Sequence, residues 1–142
     1  MHDSEPKLAF ALWIEPCIGL PLGAGAQLLR RLHEHAAEHG LQFGGGPSCL
    51  LVWSAQRSLN ATDQVELLDW LVGDPAVSAV TIGPLTLGPP TRRPVDPLAA
   101  CLRVSLPDIT LIGLSLLYRS RRIGAELYLQ ILAGPVRPAL LH

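Results

Sequence analysis

The chain has 142 residues, of which 49% are hydrophobic, 5% aromatic and 16% charged, and its formal net charge is -1. That length suits one domain with a real core and is too short for two comfortable ones. The near-neutral balance excludes a global field that would steer the protein to nucleic acid or to an anionic membrane, so any basic contact must be local.

The N-terminus "MHDSEPK" is polar and acidic, unlike a signal or transit sequence. "LAFALWI" (8–14) then alternates Leu8, Phe10, Leu12 and Ile14 against Ala9, Ala11 and Trp13, which predicts a strand. The irregular "EPCIGLPLGAG" delivers the chain to "AQLLRRLHEHAAEHG", where the period changes: Leu28, Leu29, Leu32 and Ala36 share one side of a helix over 26–39, and Gly40 stands at its left-handed end. "LQF" and "CLLVWSAQ" (49–56) read as two strands of a hairpin around "GGGPS". A second helix is expected over 62–72, with Asn60 or Thr62 as its N-cap, and "VSAVTIGPLTL" (77–87) reads as a strand.

The order β-α-β-β-α-β predicts an α+β protein with a ferredoxin-like sandwich over residues 1–90, two helices covering one face of a four-stranded antiparallel sheet. "GPPTRRPVDP" (88–97) marks a connection. Beyond it, "LAACLRV" (98–104), "ITLIGLSLLYR" (109–119) and "GAELYLQIL" (124–132) are expected to form a three-stranded meander, so that residues 91–142 make a β-rich extension of the same domain. The extension either covers the open sheet face, where Trp13 and Trp53 project, or lengthens the sheet. "ITLIGLSLLY" is about half the roughly 20 residues that a spanning helix needs, and Cys17, Cys49 and Cys101 have no C-x-x-C spacing. A reduced, cytoplasmic protein with no membrane partner is therefore expected.

The chemical candidates reduce to a few. A phosphate loop needs glycines followed at once by a helix N-terminus and usually a lysine, whereas here Pro47, Ser48 and a strand follow, so the glycines turn the chain. Of His33, His35 and His39, the pair His35 and His39 projects from nearly one side of the helix but lacks the H-E-x-x-H order and an obvious third ligand, and His39 suits a helix-end role. Asp63, Glu66 and Asp69 read as a solvated helix face, and no G-x-S-x-G elbow exists. No enzyme activity, cofactor, metal or small-molecule substrate is expected. Two features suggest binding instead. Trp70 falls on the polar side of the second helix, and "YRSRR" places Tyr118, Arg119, Arg121 and Arg122 together at a predicted hairpin tip, where guanidinium groups can grip phosphates or carboxylates.

The segments "FALWI", "AEHGLQFGGG", "CLLVW" and "ELLDWLVGDPAVSAVTIGPL", in that order from Phe10 to Leu87, resemble the YggL family of small bacterial proteins described as binding the large ribosomal subunit. The resemblance, over about 8–87, implies a non-catalytic, ribosome-associated binding protein. The family's basic N-terminal arm is replaced here by "HDSEPK", so that Arg92, Arg93, Arg119, Arg121 and Arg122 would have to supply its phosphate contacts. The alternative is a protein inhibitor, such as a toxin-neutralising immunity protein or a phage-type inhibitor that blocks one polypeptide.

Overall fold

A computed structural model describes residues 7–45, 49–86, 102–106 and 108–133. The linker 88–97 with Arg92 and Arg93, the turn residues 46–48, and Cys101 lie outside the described residues. The elements are β1 (Phe10–Pro16), α1 (Ala24–Glu38), β2 (Gln42–Gly45), β3 (Cys49–Trp53), α2 (Ala61–Val72), β4 (Val77–Ile82), β5 (Leu102–Ser105), α3 (Ile109–Arg119) and α4 (Ala125–Ala133).

The five strands form one antiparallel sheet in the order β2-β3-β1-β4-β5. The fifth strand lies outside β4, where a simple four-stranded ferredoxin-like sheet would end. Register follows from alternation: Leu12 faces Leu50 on one side and Ile82 on the other, and Val80 faces both Ile14 and Val104. All of these are buried, because a one-residue slip would turn the whole apolar set towards water. Leu28, Leu32 and Ala36 of α1 and Val65, Leu68 and Leu71 of α2 join them in a single core.

Helix α2 starts on a capping box. The Asn60 side chain accepts from the Asp63 amide at 3.2 Å, and Asp63 Oδ2 accepts from the Asn60 amide at 2.9 Å. Arg57 adds two hydrogen bonds of 2.8 Å to the same carboxylate. Burial would raise the Asp63 pKa, but Arg57 and the Asn60 amide outweigh it and hold the carboxyl below the usual range.

The expected C-terminal meander is not what forms. Among the described residues of the extension, 102–105 is a strand, and 109–119 and 125–133 are helices. The reason is visible in the burial. Leu111, Leu114 and Ser115 of α3 and Ala125 and Tyr128 of α4 are the buried positions, a spacing of three and four residues that only a helix turns to one side. Asp108 caps α3 by accepting from the Leu111 amide at 3.1 Å. The extension therefore lengthens the sheet edge through β5 and adds two helices to the buried side. Trp13 and Trp53, on the other face, are half-buried. Among the described residues, no helix is long and apolar enough to cross a membrane.

Candidate functional site

The site predicted around "YRSRR" sits at a helix end, not at a hairpin tip. At the end of α3 the Arg121 amide donates to Tyr118 O at 3.0 Å and the Arg122 amide to Leu117 O at 2.8 Å, while Ser120 Oγ donates to Leu116 O at 2.9 Å. These are the bonds of a helix stop in which the residue past the cap is left-handed. Arg121 occupies that position with φ 63°, and it is the one non-glycine residue with positive φ among the described residues.

The two residues before the turn are fixed to α2. Tyr118 Oη donates to Glu66 Oε2 at 2.7 Å, and Arg119 Nε donates to Asp69 Oδ2 at 2.8 Å. Glu66 and Asp69 are three apart on α2 and so stand on one side of it, opposite adjacent residues of α3. Burial, followed by the Glu66 carboxylate, pushes the Tyr118 hydroxyl above the ordinary phenol range, so it is a donor and not a nucleophile. The Asp69 side chain is only 15% exposed, and its Oδ1 has no hydrogen-bond partner among the described residues.

Below this contact Tyr128 of α4 is fully buried. Its ring meets Tyr118 edge-on at 5.7 Å between centroids, and its hydroxyl lies 3.3 Å from Ser115 Oγ. Burial raises its pKa as well. Above the contact lies an open groove of ≈ 540 Å³ lined by Glu66, Asp69, Tyr118, Arg119, Arg121 and Arg122. Arg121 and Arg122 are exposed, and neither has a carboxylate partner among the described residues.

Trp70 does not join this groove. Its indole is half-buried and stacks on the His35 ring of α1, with centroids 5.0 Å apart and planes 17° from parallel. The residue that covers it thus comes from α1. Burial, then the neighbouring His39, lowers the His35 pKa. His39 Nδ1 lies 3.0 Å from His35 O, and His33 tilts over Phe43 at 5.3 Å. Among the described residues no group of three or more His, Cys, Asp or Glu is placed to hold a metal ion.

The reading of Asp63, Glu66 and Asp69 as a solvated face is corrected. All three carboxylates are engaged: Asp63 by Arg57, just before α2, and Glu66 and Asp69 by Tyr118 and Arg119, because the extension packs where water was expected. Sequence reasoning also missed the outward side of α3, where Ile109 is 87% exposed, Leu116 63% and Ile112 55%. The signal for it was Asp108 as an N-cap ahead of an apolar run with polar residues almost absent.

No family model matches the chain, and no curated protein or solved structure does.

Proposed function

We propose that this chain is a non-catalytic binding protein that docks a protein partner carrying an acidic patch, through Arg121 and Arg122 at the end of α3. One observation carries the reading: an arginine is held in the left-handed position that glycine fills without strain, beside a second exposed arginine. Backbone strain of this kind costs on the order of 1–3 kcal/mol, and such outliers cluster at functional sites. Tyr118 and Arg119 serve as the clamp that presents the two free guanidinium groups, and Trp70 serves the packing of α1 on α2. The polar groups that chemistry would need are already joined in pairs, which supports a docking role over catalysis.

In this reading the partner is a single polypeptide, as for a toxin-neutralising or inhibitor protein of bacterial cytoplasm. The scaffold is read as ferredoxin-like through β4, since β2-β3-β1-β4 is the order of the split β-α-β-β-α-β arrangement. A second reading, a YggL-like protein on the large ribosomal subunit, is favoured by the resemblance over residues 8–87, and the same two arginines would then meet phosphates.

Affinity purification of tagged wild-type protein and of the double variant Arg121→Ala/Arg122→Ala, at low and high salt, separates these. The first reading expects one stoichiometric, non-ribosomal protein whose capture weakens at high salt and is lost with the double variant. Ribosomal proteins lost at high salt support the second. A partner retained by the double variant overturns both.

A further inference from the structure

The outward side of α3 is a surface without a partner among the described residues. Ile109, Ile112, Leu116 and Leu117 are 87%, 55%, 63% and 40% exposed. A helix apolar on every side is normally buried on every side. Gly113 lies in the middle of this face, with nothing within 4 Å of the point where a Cβ would stand. Next to it, Leu111, Ile112 and Leu116 line an open apolar groove of ≈ 480 Å³ together with Val72, Leu106 and Cys17.

The charges define what fits. The stripe from Ile109 to Leu117 contains no charged residue. The ionic groups bordering the groove are already engaged: Asp74 with Arg31, Asp108 with the Leu111 amide and Arg119 with Asp69. Among the described residues nothing on this face repels a like copy. The two ends of α3 differ in sign, with Asp108 before the first turn and Arg119, Arg121 and Arg122 at the last. An antiparallel neighbour of the same sequence sets unlike ends side by side and opposes the two helix dipoles. Under a two-fold axis through Gly113, Ile109 of one copy meets Leu117 of the other, four residues to either side, and the missing Cβ lets the backbones approach.

We infer that a second copy of this chain covers this surface, with the two α3 helices antiparallel about Gly113. One helix face buries well under the roughly 1,200 Å² of a standard stable interface, so the dimer forms reversibly with concentration. In it the two arginine turns stand at opposite ends of the seam, about 24 Å apart along it at 1.5 Å per residue. The inference does not depend on the acidic partner proposed above.

The test is sedimentation of the full chain over a concentration series. Wild-type protein is expected to pass from monomer to dimer as concentration rises. Ile112→Glu and Leu116→Glu are expected to weaken association by on the order of tenfold or more, since a charge then enters an apolar seam. Ile18→Glu, at a fully exposed apolar position outside α3, should leave it unchanged. Hydrogen exchange of the wild type at low and high concentration reads the same surface without any variant, with added protection expected over 109–117. A chain that stays monomeric throughout overturns the inference. So does a dimer indifferent to both α3 variants, or one lost equally with Ile18→Glu.

Discussion

Helices α1 and α3 end in the same hydrogen-bonded turn, closed by Gly40 in one and by Arg121 in the other. After α1 the Gly40 amide donates to Ala37 O at 3.2 Å and the Leu41 amide to Ala36 O at 2.9 Å, with φ 74° at Gly40. After α3 the corresponding bonds run from Arg121 to Tyr118 and from Arg122 to Leu117, with φ 63°. The first turn forms from local preference, because glycine enters the left-handed region freely. The second forms against it, at about 1–2 kcal/mol for a side chain bearing a Cβ. It persists because Tyr118 and Arg119, in the last turn of α3, are clamped to Glu66 and Asp69. That cost is the observation on which the proposed docking role of Arg121 rests.

The largest break in this contrast should come from the packing beneath the arginine end. Tyr128→Ala removes a fully buried ring and is expected to destabilise the protein by about 3–5 kcal/mol in urea unfolding, with the amides of α3 and α4 exchanging ahead of those of the central strands. Next comes the clamp itself, whose two partners differ in exposure: Arg119 is 59% exposed and Asp69 15%. Arg119→Ala strands a mostly buried carboxylate, at a cost of about 1–3 kcal/mol, whereas Asp69→Ala releases the arginine to water and should cost less than half as much.

At the glycine end, a Cβ on Gly40 would meet nothing within 4 Å, so Gly40→Ala tests conformation alone. A loss of about 1 kcal/mol is expected in thermal unfolding. Arg121→Gly should do the reverse, gaining about 1 kcal/mol while weakening the proposed docking to an acidic partner. A stability loss at Arg121→Gly would mean that the turn is not strained.

The smallest handle is the proton. The folded chain holds the His35 pKa below its ordinary value, so the unfolded chain binds that proton first as pH falls through the histidine range. The contribution of His35 is intact above that range and declines below it. His35→Gln should flatten this part of the stability profile between neutral and mildly acid pH.

Legibility followed the same division. Residues 10–82 follow a pattern that local rules decode: strict alternation in β1, a leucine stripe and terminal glycine in α1, an Asn60 cap in α2. In the extension α3 presents apolar side chains both inward and outward, so its three-to-four spacing drowned in a continuous hydrophobic run. The strand expected over "GAELYLQIL" failed for a related reason, since Leu127 and Ile131 are also exposed while Tyr128 is buried. The arginine cluster was readable as a cluster because its members are adjacent. Its clamp was not, because Tyr118 and Arg119 reach carboxylates about 50 residues away on α2, which no local pattern encodes.

The bridge between Arg103 and Glu15 has a mechanical corollary. Its two hydrogen bonds of 2.9 Å reach from edge strand β5 over β4 to β1. Sliding β5 along its neighbour would shear both bonds at once, whereas peeling from one end breaks backbone rungs singly. Tension on the chain after residue 106 is thus shared with the middle of the sheet, and the outer strand should fail by unzipping rather than by slipping register.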